Sequence, residues 1–256
     1  MKRVILVFLL LCVLLTSCTG GRDGWRLVWT EDFDGPAIDT TVWARVPNMQ
    51  PDWSNMMSLR EDLAYIEDGA LVLLGKVGDP NQGDTTRYVT AGVWSLGRKS
   101  FSMAKVEIRA KFSSARGFWP ALWLMPDVPL PKPEYAEVDL MEHLNFDPDV
   151  YQTVHSRFTL DGNEGPDKHA TAPVDRDGWN IYACEIHRDS ICLFTNGVKS
   201  LTYPRLEGAE HQFPWPDYPF YLILSNQIEG KWVGPVEDAD LPSELRVDWV
   251  KVYERQ

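Results

Sequence analysis

Three carboxylates fall within the six residues Glu137-Val138-Asp139-Leu140-Met141-Glu142, and every spacer between them is apolar. Drawn as a β-strand, Glu137 and Asp139 share one face, because side chains alternate with a period of two, and Val138 and Leu140 turn into a core. Strict alternation would put Glu142 on the apolar face, where a carboxylate is strongly disfavoured. A one-residue β-bulge near Leu140-Met141 returns it to the acidic face. Like charges in such a row cannot all stay ionised, so at least one pKa must rise. One ionised carboxylate beside one protonated carboxyl is the equipment of retaining glycoside hydrolysis, in which the two groups stand about 5–5.5 Å apart. The Cα atoms of Glu137 and Glu142 would lie on the order of 13 Å apart at ~3.3 Å per residue less the bulge. Two long side chains leaning together close that gap. Asp139, between them, is placed to hydrogen-bond one and to modulate the pair. The competing reading is a solvated acidic face; on a helix the same three acids would spread around the cylinder.

The flanks favour chemistry over a solvated face. The chain holds eleven tryptophans, a high share for its length. Gly117-Phe118-Trp119-Pro120-Ala121-Leu122-Trp123-Leu124 lies shortly before the acids. Trp119 and Trp123 are candidate sugar platforms, since the C–H face of a pyranose stacks on indole; the alternative is plain core packing. Trp53, Trp94 and Trp232 sit in polar or Gly-bearing surroundings and are weaker candidates. Asn55 and His155 complete the candidate substrate contacts. Thr153-Val154-His155-Ser156 reads as the next strand, and antiparallel pairing would bring His155 beside Glu142. Arg116-Gly117 suggests a loop at a cleft edge.

The elements that must hold these residues read as many short strands. Ala104 to Phe112 alternates cleanly between apolar and charged residues. Trp25–Trp29, Leu71–Leu74, Trp179–Ile186, Ile191–Phe194, Phe220–Leu224 and Leu245–Tyr253 complete the set. Asp68-Gly69 and Asn196-Gly197 are turn signals, the second a strong hairpin turn. No helical stretch of useful length and no internal repeat appears. Strands with one core face each, punctuated by turns, predict an all-β sandwich of two antiparallel sheets.

The chain opens Met1-Lys2-Arg3, runs apolar from Val4 to Leu15 and reaches Leu15-Thr16-Ser17-Cys18. That is a secretory leader, too short to span a bilayer comfortably. Its end resembles a bacterial lipobox, which makes Cys18 the lipidated first residue of the mature protein. The expected organisation is a leader at 1–17, lipidated Cys18 and a tether at 18–24, and one domain at 25–256. The expected location is the bacterial outer membrane or cell surface, with the membrane contacted only through the anchor. Acidic residues outnumber basic ones 37 to 25, a net charge of −12, and loss of Lys2 and Arg3 makes it more negative. This balance argues against nucleic acid and anionic membranes as partners. Cys184 and Cys192 flank a hairpin around Arg188-Asp189-Ser190 without facing each other, and read as free core thiols.

These residues together resemble glycoside hydrolase family 16, the laminarinase-like group. The signature Glu-x-Asp-x-x-Glu is met by Glu137, Asp139 and Glu142, in the form with the bulge residue. Trp119-Pro120-Ala121-Leu122-Trp123, Val28-Trp29-Thr30-Glu31-Asp32-Phe33-Asp34-Gly35 and Val247-Asp248-Trp249-Val250-Lys251-Val252-Tyr253 also look like the family, in the right order. The resemblance implies a β-jelly roll with a concave substrate cleft and endo-acting retaining hydrolysis of internal β-glycosidic bonds. It implies Glu137 as nucleophile, Asp139 as its helper and Glu142 as acid/base. No cofactor is required; a structural Ca²⁺ occurs in parts of the family, and Asp248 is the candidate ligand. The partner is a polysaccharide or glycan, and the chain is expected to act as a monomer. Two departures stand out: Ala136 where Gly is common, and His143-Leu144-Asn145 where laminarinases often carry an aromatic and Gly. The substrate is therefore left between β-1,3(4)-glucan and β-galactosides of lactosamine-type host glycans such as mucin and keratan. A non-catalytic glycan-binding lipoprotein is the reading of another class, and it gives no reason for three crowded carboxylates.

Overall fold

The computed structural model describes residues 24–256; the leader, Cys18 and the tether up to residue 23 lie outside the described residues. The chain forms β1 (Trp25–Glu31), β2 (Ala44–Arg45), β3 (Ala64–Glu67), β4 (Ala70–Val77), β5 (Tyr88–Val89), β6 (Gly92–Trp94), β7 (Ser100–Phe101), β8 (Ala104–Phe112) and β9 (Phe118–Pro126). There follow β10 (Ala136–Glu142), β11 (Asp149–Ser156), β12 (His169–Pro173), β13 (Asn180–Ile186), β14 (Ser190–Thr195), β15 (Val198–Pro204), β16 (Phe220–Ile228) and β17 (Ser243–Arg255). The α-helix of the described residues, α1 (Arg157–Leu160), is a single turn after β11.

Two antiparallel sheets build the sandwich. One runs β15-β14-β13-β8-β17-β4-β3, with β1 on β17 and β5 on β4; the other runs β12-β11-β10-β9-β16-β6-β2, with β7 on β16. β8 shows why the layers close. Its residues alternate between buried and half-buried along the whole strand, with Ala104, Val106, Ile108, Ala110 and Phe112 inside. That period of two is what a sheet with one covered face requires. The apolar faces of both sheets meet in one core that includes Leu71, Leu73, Ile108, Leu122, Val138, Leu140, Leu222 and Val250.

β16 is buried on both faces. Phe220, Leu222 and Leu224 enter the main core, whereas Tyr221 and Ile223 pack outward with Val46, Met57, Ala121 and Trp123 in a second cluster. Trp53 closes over that cluster. The segment between β2 and β3 thus roofs part of the outer face of the second sheet, and its edge becomes a cleft wall.

The turns follow their residue types. Asp68 and Gly69 join β3 to β4 at φ 53° and 69°, and Asn196 and Gly197 join β14 to β15 at φ 51° and 77°. Both pairs are left-handed, as a two-residue hairpin turn with the twist of its strands demands. Cys184 opposes Leu193 and Cys192 opposes Glu185, so the two thiols point to opposite faces of the sheet, and both are free and buried. The last strands run longer than their apolar runs: β16 continues through Ser225, Asn226 and Gln227, all buried. Asp248, the candidate calcium ligand, sits at a bulge between Val247 and Trp249, and its Oδ2 accepts from the Arg109 guanidinium. A carboxylate already neutralised by a guanidinium is a poor member of an oxygen cage for a hard cation, so the calcium expectation does not fit this residue.

Candidate active site

β10 carries the three acids across the middle of the second sheet, between β9 and β11. Against β9, Asp139 opposes Trp123 and Met141 opposes Leu122; against β11, Asp139 opposes Thr153 and Glu142 opposes Tyr151. One extra residue therefore stands between Asp139 and Glu142. Val138, Leu140 and Met141 are all completely buried. Two consecutive apolar side chains enter the core, and the next residue, Glu142, comes back to the acidic face. This is the bulge expected from burial, at the expected place.

The acids line a cleft of about 390 Å³ on the outer face of the sheet. Its floor is Ala121, Trp123 and Gln227, and its walls include Pro51, Trp53, Trp119 and Tyr135. Each glutamate has its own donor. Trp119 Nε1 donates to Glu142 Oε1 at 3.0 Å. The Tyr135 hydroxyl donates to Glu137 Oε2 at 2.6 Å. His155 Nε2 stands 3.3 Å from Asp139 Oδ2 and 3.8 Å from Glu137 Oε1. Strands β10 and β11 pair antiparallel as expected, but the register sets His155 opposite Glu137. His155 therefore faces the Glu137 end of the row, and Tyr151 takes the place beside Glu142.

Burial sets the electrostatics. Asp139 is 3% exposed, and desolvation, followed by the Glu137 charge, pushes its carboxyl well above the usual range. Glu142 is 8% exposed; desolvation first and Asp139 second push it up, while the Trp119 N–H opposes them. Tyr135 is held above the ordinary phenol range by burial and then by the Glu137 charge, so its hydroxyl stays a donor. Asp139 Oδ2 and His155 Nδ1 are buried without a hydrogen-bond partner. Glu142, pushed toward its protonated form by burial, and Glu137, which accepts the Tyr135 hydroxyl, together offer a general acid at one end of the row and a nucleophile at the other.

The aromatic residues divide into two groups. Trp123 is 7% exposed, donates its Nε1 to Ser225 Oγ at 3.1 Å and meets Trp53 edge-on at 4.9 Å. It lines the cleft as expected, but as floor, with Trp53 as the adjoining wall. Beyond Glu142 a second group extends outward. Trp119 meets Trp232 edge-on at 5.3 Å, and Trp232 meets Tyr151 at 5.5 Å. Trp232 is half exposed and stands at the rim rather than among the residues around the acids. Trp94 packs on Tyr221 in the second cluster and does not line the cleft. Asn55 is also outside it: it borders a separate depression with Asp52, Glu229 and Lys231. The local turn that lays Trp53 over the cleft directs Asn55 to the other side.

The departures after the acids prove structural. His143 is completely buried, stacks on Phe112 at 4.4 Å and has its Nε2 2.8 Å from the Asp147 carbonyl. Asn145 takes a left-handed φ of 56° and joins three segments: its Oδ1 accepts from Gly117 N at 2.7 Å, and its Nδ2 donates to the Val233 carbonyl at 3.1 Å. Gly117 is required where it stands, since φ is 71° and a Cβ would lie 2.6 Å from the Pro235 carbonyl oxygen. Asn145 thereby fixes the loop that presents Trp232.

Two cleft residues, Tyr135 and Gln227, and one neighbour of Glu142, Tyr151, escaped the sequence reading. Tyr135 shares the parity of Glu137 and Asp139, so extending the alternation two residues back would have found it. Gln227 was hidden in a polar run; it is buried, lines the cleft and has no partner for its Oε1. Tyr151 needed the register of β11.

Residues 72–251 match glycosyl hydrolases family 16. The chain belongs to this family. Among curated relatives, it is 33% identical over 245 residues to a keratan-sulfate endo-1,4-β-galactosidase of Sphingobacterium multivorum; the match covers 94% of this chain and 58% of that protein's length. It is 31% identical over 248 residues to a β-glucanase of Rhodothermus marinus, covering 90% of this chain and 85% of the relative. Among solved structures, one from work on endo-acting O-glycanases of the human gut microbiota that initiate mucin breakdown superposes with a TM-score of 0.78 at 26% identity. That match covers 90% of this chain and all of the other. Membership in family 16 accounts for the jelly-roll sandwich and for the bulged acid strand at its centre.

Proposed function

We propose that this family 16 chain is an endo-acting retaining β-glycanase whose preferred substrates are β-galactosidic linkages in lactosamine-type glycans. The observation that carries the reaction is the row on β10: Glu137 held by Tyr135, Glu142 pushed toward its protonated form by burial, and Asp139 between them. In this reading Glu137 attacks the anomeric carbon while Glu142 protonates the departing oxygen, and a covalent glycosyl-enzyme forms. Glu142 then takes a proton from water, which releases the sugar with retained configuration. Asp139, protonated in its buried position, limits the negative charge beside the nucleophile.

One observation supports the galactoside class: the keratan-sulfate endo-1,4-β-galactosidase is similar over 94% of this chain, at 33% identity. The β-glucanase match favours a second reading, a β-1,3(4)-glucanase. Product analysis on keratan, mucin O-glycans, laminarin and mixed-linkage glucan separates the two. Internal cleavage of keratan or mucin glycans with laminarin untouched is the expected result; the converse establishes the glucanase.

The protein acts at the cell surface in this proposal, tethered through a lipid on Cys18 and working as a monomer. The lipobox-like Leu15-Thr16-Ser17-Cys18 supports the anchor. Replacement of Cys18 by Ala should move the protein from the membrane fraction to the soluble one, and continued membrane association would overturn the anchor.

A further inference from the structure

We propose that Tyr135 is a positioning residue for Glu137: its donated proton decides which member of the Glu137–Asp139 pair is charged and leaves Oε1 as the attacking oxygen. The inference rests on the reading of Glu137 as nucleophile. Tyr135 stands one residue before β10, on the same parity as Glu137 and Asp139, and lines the same cleft. Its hydroxyl donates to Oε2 at 2.6 Å, within the short range of hydrogen bonds to an ionised acceptor.

Glu137 and Asp139 stand too close to be ionised together, so the pair behaves as one coupled system with a proton to place. Its members differ in what they receive. Asp139 is almost fully buried, and its Oδ2 has no hydrogen-bond partner. Glu137 receives the Tyr135 proton. The other titratable groups do not discriminate as sharply. His155, from β11, lies between the two acids, 3.3 Å from Asp139 and 3.8 Å from Glu137. Glu142 lies further along the same strand, and burial pushes it toward its neutral form, so it adds little charge beside either acid. Tyr221, from β16, is itself pushed up to about 12 by burial and stays neutral. A single directed donor therefore puts the negative charge on Glu137 and the proton on Asp139. The same bond engages Oε2, so the oxygen free for attack is Oε1, the one on the His155 side.

Phe at position 135 keeps the ring and removes only the donor. The test compares wild type and Tyr135→Phe in two measurements. Inactivation by 2,4-dinitrophenyl 2-deoxy-2-fluoro β-galactosides and β-glucosides, each extended by one sugar, needs a nucleophile but no acid, and mass spectrometry locates the label. The pH dependence of that inactivation then reports protonation of the nucleophile. Loss of one hydrogen bond to a charged group should move the acid limb up by roughly one to two pH units, a ten- to hundredfold slower inactivation below the limb. The basic limb of glycan hydrolysis, set by Glu142, should stay in place, as should the melting temperature. A ring that only packs would lower the rate equally at every pH. Tyr135→Leu serves as a second variant, with the same expected limb shift. A label on any residue other than Glu137 overturns the nucleophile reading. A label on Glu137 with an unmoved acid limb overturns the role of Tyr135 alone.

Discussion

Replacing Asp139 with Asn should make the protein more stable at neutral pH. Asp139 is 3% exposed, its Oδ2 lacks a hydrogen-bond partner, and its carboxyl is raised by burial and then by Glu137. In the unfolded chain the same group titrates near its ordinary value, about 3.9. As pH rises above that value the unfolded chain releases the proton while the folded chain must keep it. Stability therefore falls with rising pH until the raised folded value is passed. Each unit of rise corresponds to about 1.4 kcal/mol. For a domain of this size 1 kcal/mol moves the melting temperature by roughly 2–4 °C. Asn keeps the shape and the contact toward His155 but cannot ionise, so it escapes the whole penalty. The expected gain at pH 7 is about 3–6 °C for every unit of rise.

The assay is thermal unfolding of both proteins between pH 3.5 and 8. The curves should nearly coincide at the acid end and separate steadily above pH 4. They should run parallel only once the folded Asp139 has titrated. Catalysis should drop at the same time, because Asn cannot share a proton with Glu137. A variant less stable than wild type at pH 7, or a difference in melting temperature that does not change with pH, would refute the claim that Asp139 is held protonated against its tendency to ionise.

Two further outcomes follow from the donors in the row. Trp119→Phe removes the 3.0 Å N–H from Glu142 Oε1. The carboxylate loses a charge-assisted bond worth about 1.5–3 kcal/mol, so the basic limb of kcat/KM should move up by roughly one to two pH units; an unmoved or lowered limb would dismiss the contact. With an activated aryl glycoside and azide, Glu142→Ala should yield a glycosyl azide of retained configuration and Glu137→Ala one of inverted configuration. NMR of the products decides, and full activity in Glu137→Ala would remove it as nucleophile.

Much of this architecture is legible in the chain because it follows from parity. In β8 the alternation of Ala104 to Phe112 maps directly onto buried and half-buried positions. In β10 the mismatch of Glu142 with simple alternation itself requires a bulge. The missed features depend on long-range register or on burial that composition conceals. His155 was expected beside Glu142 but lies opposite Glu137, since nothing within Thr153–Ser156 states where that strand pairs. The expected strand Phe220–Leu224 stops short of Ser225, Asn226 and Gln227, yet they continue β16; Asn226 Nδ2 donates to the carbonyls of Leu73 and Ser243, so a polar residue is satisfied deep inside. Asn55, a candidate substrate contact, borders a different depression from the one Trp53 lines, because the local turn directs the two apart. His143 and Asn145, the departures that follow the acids, both serve structure; one packs on Phe112 and the other fixes the Trp232 loop.

The bulge makes a stronger claim than the identity of the acids, and deletion tests it. Leu140 and Met141 both enter the core, and Glu142 resumes the outer face. Removing Met141 leaves Glu-Val-Asp-Leu-Glu, which alternates without a bulge and keeps all three acids outward. The residues after Glu142 then keep their parity, so His143 still faces Phe112 and Asn145 can still reach Gly117 and Val233. The loss is one buried side chain, roughly 2–5 kcal/mol by analogy with Met→Ala, partly offset by a regular ladder. Removing both Leu140 and Met141 is chemically the milder-looking change, since it deletes an apolar pair. It nevertheless inverts parity: Glu142 would enter the core and His143 would face the cleft, an uncompensated buried carboxylate. The single deletion should therefore give a folded protein of lower melting temperature with residual hydrolysis, and the double deletion an unfolded one. Circular dichroism and proteolysis rank the two. If the double deletion folds and the single one does not, the spacing of the glutamates is set by something other than the strand's two-residue period.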